Sequence, residues 1–172
     1  YEEAKEIIPL LKNLDELFNH PVDFEPLIVQ NVSTRADEYL PMLSPDNSLL
    51  FFTRKYMEEI RGELFEKKEI EELVVSRQKG IEYTKGRPLP SPFNVGQDNY
   101  GGLALSIDNR EIFVTICKPE KDGYNNCDIY YSKINRFFKT TFGETHYEWT
   151  ELTKLGDQIN TPDGWEAKPT IP

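Results

Sequence analysis

Two cysteines and two histidines are the side chains of this chain with the most obvious chemistry. Cys117 and Cys127 are close in sequence, whereas His20 and His146 lie apart from them. A tetrahedral zinc site needs four such ligands together, so no metal site is predicted. The cysteines fit a disulfide across a hairpin, two reduced half-buried thiols, or a nucleophilic thiol with His146 as base. No papain-like sequence surrounds either cysteine, which disfavours the nucleophile.

Carboxylates dominate the charge, with 30 Asp and Glu against 20 Lys and Arg and a net charge of −10. This excess argues against nucleic acid as a partner, because phosphate binding needs clustered basic residues. Among so many carboxylates, no pair is singled out for acid–base catalysis. The loops at Asp122 and Asp157 lack the Asp-x-Asp-x-Asp-Gly spacing of a calcium site. No cofactor is predicted.

Several aromatic residues allow two interpretations. They line either a sugar- or peptide-binding face or the space between packed sheets, and core packing is favoured because buried aromatics dominate such cores. These residues are Tyr124, Tyr130, Tyr131, Trp149 and Trp165.

The elements that must position these residues change in type near residue 26. Apolar residues at helical spacing predict a helix over 9–18, with Pro9 in its first turn. Beyond it, short aromatic and β-branched runs between turn residues predict strands. The expected strands are 27–30, 41–44, 49–54, 72–77, 81–84, 103–106, 111–117, 127–133 and 147–152. The charged stretch 55–71 predicts a short helix on a hairpin tip.

An internal repeat is the strongest pattern in the sequence. Residues 40–53 (LPMLSPDNSLLFFT) and 102–115 (GLALSIDNREIFVT) each read as a strand, Ser-x-Asp-Asn, a second strand and Thr. The Asp-Asn pair supplies the positive φ of a tight hairpin turn, and the serine hydrogen-bonds into that turn. The residues with this structural role are Ser44, Asp46, Asn47, Ser106, Asp108 and Asn109.

The two copies continue in parallel beyond the turn. Residues 72–76 match 128–132 as a third strand, and the stretches from Ile81 and Tyr147 match as a fourth. A connection follows, with Val95-Gly96 in the first copy and Leu155-Gly156 in the second. Residues 169–171 match 41–43, so a third copy is expected to begin there.

Four strands per repeat and a period near 60 residues predict a mainly β chain, namely two four-stranded blades of a β-propeller after a short helix. The expected parts are a helical lead-in (1–21), blade one (22–98), blade two (99–164) and the start of blade three (165–172). Propellers need about 4–8 blades, so the ring is incomplete, and the rest is expected from the same or another chain. The lack of an initiator Met leads us to expect a processed or truncated product. A small β-sandwich is the structural alternative.

Residues 40–54 resemble the TolB-type propeller repeat with its Ser-Pro-Asp-Gly core, with Asn47 in place of the glycine and Ile107 in place of the proline in the second copy. Together with residues 123–131, Trp149 and residues 155–162, the region 22–172 resembles the propellers of OmpA-family envelope proteins of Bacteroidota. That resemblance implies a helical region before the propeller and a peptidoglycan-binding domain after it. This chain does not show the peptidoglycan-binding domain.

The resemblance implies a non-enzymatic scaffold in the periplasm that binds other envelope or secretion proteins. One member type of that family belongs to the type IX secretion system. Peptidoglycan would be contacted only through the domain absent here, without a membrane span. An exported protein would join Cys117 and Cys127 in a disulfide. Two alternatives stay open: a propeller hydrolase whose site lies in missing blades, and a glycan-binding module.

Overall fold

The computed structural model describes residues 2–21, 23–59, 67–96, 98–119, 125–139 and 145–171. As predicted, the chain is mainly β, with one helix and two antiparallel sheets. The elements are α1 (Glu2–Asn19), β1 (Asp37–Leu43), β2 (Leu49–Glu59), β3 (Lys67–Lys79), β4 (Glu82–Tyr83), β5 (Arg87–Pro88), β6 (Asn99–Leu105), β7 (Glu111–Pro119), β8 (Asn125–Lys139), β9 (Thr145–Trp149) and β10 (Thr153–Lys154).

Helix α1 begins earlier than the sequence predicted. The expected start at Pro9 is wrong, because the helix runs from Glu2 through Pro9 to Asn19. Proline withdraws one backbone N–H from the helix but leaves the flanking turns helical here. The side chains from Lys5 to Asn19 are all exposed, including Leu17 and Phe18. Within the described residues, α1 packs against no strand.

Both sheets have the same strand order. The first runs β1-β2-β3 and the second β6-β7-β8, each an antiparallel meander. The fourth position is divided in both: β4 and β5 pair with different parts of β3, and β9 and β10 pair with different parts of β8. The first strand of each sheet carries an irregularity at nearly the same place, between Tyr39 and Met42 in β1 and between Tyr100 and Leu103 in β6.

Two local predictions are wrong. Residues 27–30 form no strand and are exposed. The predicted helix over 55–71 is instead strand at both ends, because β2 and β3 pair continuously from Lys55 with Glu71 to Glu59 with Lys67. Cross-strand pairs of opposite charge favour this extension. The middle of that predicted helix, 60–66, lies outside the described residues.

The core lies between the two sheets. From the first sheet it receives Phe51, Leu73, Leu89 and Phe93; from the second it receives Tyr100, Leu103, Leu105, Ile112, Val114 and Ile116. Alternation along a strand assigns these side chains to faces. Ile112 and Val114 lie on the face of β7 that meets the first sheet. Their equivalents in the first repeat, 62 residues earlier, are Leu50 and Phe52 of β2. The β2 face that bears these two residues points away from the second sheet and packs with Val32 and Val74. The sheets therefore stack head to tail.

Candidate functional site

The two Ser-x-Asp-Asn segments form β-hairpin turns with the same hydrogen bonds. In the first turn, the Ser44 hydroxyl donates to Asp46 Oδ1 over 2.6 Å and accepts from the Leu49 N–H over 2.9 Å. Ser106 makes the equivalent bonds to Asp108 and from Glu111 over the same two distances. The asparagines have positive φ, 57° at Asn47 and 59° at Asn109. The serine and aspartate therefore close the turn, and asparagine tolerates its left-handed backbone.

These hydrogen bonds favour the ionised form of each aspartate. The Ser44 hydroxyl and the Ser48 N–H lower the pKa of Asp46 to about 2. The Ser106 hydroxyl and the Arg110 N–H likewise lower the pKa of Asp108. A carboxylate that accepts several hydrogen bonds binds a proton weakly. Both aspartates are thus turn-forming anions rather than proton donors at neutral pH.

One asparagine in each repeat, half-buried Asn94 and buried Asn160, was missed by the sequence reasoning. Asn94 accepts from the Leu73 N–H over 2.7 Å and donates to the carbonyls of Leu73 and Leu89. Asn160 makes the same three bonds to Ile129 and Leu155. Each clamps the third strand to the connection after the fourth. The correct alignment thus pairs Leu89 with Leu155, and the matching of Val95-Gly96 with Leu155-Gly156 is wrong. The sequence did contain a signal for these asparagines, because each of them follows by five residues a leucine, Leu89 or Leu155, at the same position of its repeat.

Cys117 and Cys127 lie opposite each other in β7 and β8, with their Cα atoms 3.9 Å apart and their sulfurs at bonding distance. In the first sheet the equivalent pair is Lys55 and Glu71, which also face each other. The hairpin geometry thus sets the two sulfurs side by side in a cross-strand disulfide, so that neither cysteine is a free thiol.

The other candidate residues are dispersed. Tyr130 and Trp149 pack against the core between the sheets, and Trp149 meets the Phe93 ring edge-on. Tyr131 stacks at a tilt on Phe113, and its hydroxyl donates to Glu111 over 2.6 Å. Only Trp165 of the described set is largely exposed, at 57%. These rings therefore do not form one sugar-binding face.

The remaining sequence candidates gather no site. His20 and Asp157 are exposed. Within the described ranges, no three His, Cys, Asp or Glu side chains are placed to hold a metal ion. Asp122 and Tyr124 lie outside the described residues.

The second sheet has one face that the first sheet does not cover, and we call it the open face. It carries Phe113, Thr115 and Tyr131, which correspond to the side of the first sheet buried in the core. The correspondence is clearest after the fourth strand. Phe93 is 1% exposed between the sheets, whereas its equivalent Ile159 is 52% exposed. The open face thus repeats the packing surface of the first sheet without a sheet seated on it.

Residues 165–171 run along the open face without forming a strand. The Glu166 N–H donates to the Cys127 carbonyl, and the Lys168 N–H donates to Thr115 Oγ1, both over 2.9 Å. Lys168 has a φ of 56°, close to the 52° of Leu40 in β1.

Three equivalent positions of the repeat lie close together where β1 and β6 approach each other. A Cβ placed on Gly102 of β6 would lie 3.4 Å from Leu40 Cδ1 and 3.8 Å from Lys168 Cα. Gly102 follows Leu40 by 62 residues and precedes Lys168 by 66, the same spacing that separates Asn94 from Asn160. The position that Leu40 occupies in β1 and Gly102 in β6 therefore occurs a third time, at Lys168 in the last segment, and the three positions are neighbours.

No known protein family, curated protein or solved structure matches this chain. Among the described residues, no helix combines the length and the apolar character required to cross a membrane.

Proposed function

We propose that the two sheets are consecutive blades of an incomplete β-propeller and that the protein is a non-enzymatic scaffold for other proteins. The head-to-tail stack carries this proposal. In a head-to-tail contact, one face of a sheet packs on the opposite face of the next sheet. Each added sheet therefore exposes the face that can bind a further sheet. Such a series closes into a ring when the rotations between successive sheets add up to a full turn. Residues 165–171 lie on the open face as the start of the next blade.

The occupant of the open face is a third sheet of the same repeat. It would bury Ile159 and Phe113 as the second sheet buries Phe93 and Phe51. The opposite end of the stack is covered differently. Val32 lies over the Leu50 and Phe52 side chains. Arg54 holds this cover in place through Glu38, over 3.0 Å, and through the Val32 carbonyl, over 3.1 Å.

The cellular setting follows from the resemblance to OmpA-family envelope proteins. We propose a periplasmic location, attachment to peptidoglycan through a separate domain, and envelope or secretion proteins as partners. The disulfide-distance pair Cys117 and Cys127 supports an oxidising compartment, because cytosolic proteins seldom keep such bonds.

Hydroxyl-radical footprinting of the native protein tests the stack. We expect Ile159 to be labelled weakly because the third sheet covers it, while Ile81, 97% exposed in the present structure, serves as the labelled control. Labelling of Ile159 as strong as that of Ile81 would overturn the stacked arrangement.

Blotting of fractionated source cells tests the setting. An antibody to residues 99–119 should detect a band well above 20.1 kDa, released by peptidoglycan digestion. A soluble band at 20.1 kDa would contradict both the anchoring and the missing blades.

A further inference from the structure

The second repeat contains a two-stranded extension that is much longer than its counterpart in the first repeat, where only residues 78–79 pair with 82–83. We call it the ribbon: residues 134–139 of β8 paired with 145–149 of β9. Its base is the same in both repeats, because Ser76 donates to the Thr84 carbonyl and Ser132 to the Thr150 carbonyl. These partners are 8 residues apart in the first repeat and 18 in the second. The sheet therefore closes without the ribbon, which makes the ribbon an addition to the repeat.

Aromatic side chains project from both faces of the ribbon. Phe137 lies opposite Tyr147 on one face, and Phe138 lies opposite His146 on the other. The Phe138 and His146 rings stack at 5.6 Å, yet Phe137 is still 64% exposed and Phe138 49%. Arg136 pairs with Glu148 through both guanidinium nitrogens that face it, which holds the two strands in register. The ribbon is thus a preformed element with uncovered apolar surface.

The ribbon also carries an open strand edge. β8 pairs with β7 only as far as Lys133, so residues 135–139 have β9 on one side and no described strand on the other. This edge carries two cations, Arg136 and Lys139, in a chain whose net charge is −10, whereas Lys133, just before the edge, lies opposite Glu111 of β7. Lys139 forms no ion pair with any residue that the structure describes.

We propose that the edge of β8 at residues 135–139 binds an extended, acidic and aromatic or β-branched segment of a partner protein by strand addition. The two-sided placement of the aromatics selects this occupant. A helix or a flat surface covers one face of a ribbon, whereas an added strand places alternate side chains beside Phe137 on one face and Phe138 on the other. A carboxylate on the partner would face Lys139, since opposite charges on neighbouring strands attract.

This inference rests on the proposed scaffold function, for which it names one partner-binding element. Selection of a random nonapeptide library against the complete chain tests it. We expect enriched peptides that alternate aromatic or β-branched residues and contain carboxylates. Affinity for a selected peptide should fall about tenfold or more in Lys139→Glu, and in the double variant Phe137→Ser/Phe138→Ser, because cross-strand charge and aromatic pairs are lost.

Ile81→Ser is the matched control, because Ile81 occupies the short turn that replaces the ribbon in the first repeat. This variant should bind as the wild type does. Lys139→Glu changes only a surface charge, so it reports on binding even if the double variant folds poorly.

Three results would overturn the proposal: no enrichment over the double variant, enriched peptides without carboxylates or alternation, or selected peptides that bind Lys139→Glu as tightly as wild type. Ribbon-dependent binding to phosphatidylglycerol vesicles in place of peptides would also overturn it, in favour of a lipid surface. The footprint of Ile159 reports on the stack independently, so failure of the ribbon and failure of the scaffold are distinguishable.

Discussion

Replacement of the clamp asparagines tests the repeat most directly. Asn94→Ala and Asn160→Ala each remove three hydrogen bonds, one from a backbone N–H and two to backbone carbonyls. A hydrogen bond contributes about 1 kcal/mol net, and a buried group left unpaired costs about 1–3 kcal/mol. We expect each variant to lower the free energy of unfolding by about 3–4 kcal/mol. Because the two asparagines make the same three bonds, the two losses should be of similar size, with the larger loss at Asn160, whose bonds are more deeply buried.

Urea denaturation of the oxidised chain, followed by circular dichroism, measures these losses. Gln158→Ala is the control, because Gln158 is exposed beside Asn160 and its replacement should change stability by no more than about 0.5 kcal/mol. Asn160→Asp should not restore stability, since a carboxylate cannot donate to the two carbonyls that the amide binds. A loss below about 1 kcal/mol for Asn160→Ala, or a difference above about 2 kcal/mol between the two alanine variants, would refute the reasoning.

Three further outcomes are expected. Reduction of the Cys117–Cys127 disulfide, or the double variant Cys117→Ser/Cys127→Ser, should lower the free energy of unfolding by about 2–3 kcal/mol, because the unfolded chain is then no longer held in a short closed loop. Denaturation with and without reductant measures this loss. Equal denaturation midpoints would contradict the prediction. The pKa of Asp46 is lower in the folded chain than in the unfolded chain, so its contribution to the free energy of unfolding should be present above about pH 4 and be lost as the pH falls toward 2. Asp46→Ala should therefore lose less stability than the wild type between pH 5 and pH 2.5. Parallel plots of stability against pH for the two proteins would argue against this. Gly86→Ala should destabilise the fold by about 1–3 kcal/mol, because the new Cβ would lie 2.8 Å from Val74 Cγ1 and 2.9 Å from Phe52 Cζ. Thermal melts measure this loss. Gly156→Ala is the control, because a Cβ at Gly156 would have no atom within 4 Å.

Local sequence determined the hairpin turns and the long strands of both sheets. Ser-x-Asp-Asn closes its own turn through contacts within five residues, so its geometry depends little on the rest of the chain. The continuous apolar run 49–52 is typical of a strand buried on both faces. The cysteine pair was also readable, because two cysteines that flank a hairpin loop come together when the hairpin forms.

The ends of elements depended on pairing between strands. Residues 55–59 have a mixed charge pattern that suits a helix tip as well as a strand, and their pairing with β3 decided in favour of the strand. The stretch 27–30 has strand-like residues but finds no partner strand, so it stays irregular. Helix α1 extended past Pro9 because the residues before it remain good helix formers, which outweighs the one backbone hydrogen bond that proline removes.

The sequence by itself determined a two-fold repeat of β-hairpins, its turns and its cysteine pair, because these depend on contacts between near neighbours. The tertiary structure alone decided which face of each sheet is buried, since strand alternation marks two apolar faces without saying which one meets the other sheet. It also revealed the Asn94 and Asn160 clamps, whose partners are 21 and 31 residues away. The open face and the ribbon likewise became visible only in the folded chain, because exposure depends on what the rest of the molecule covers.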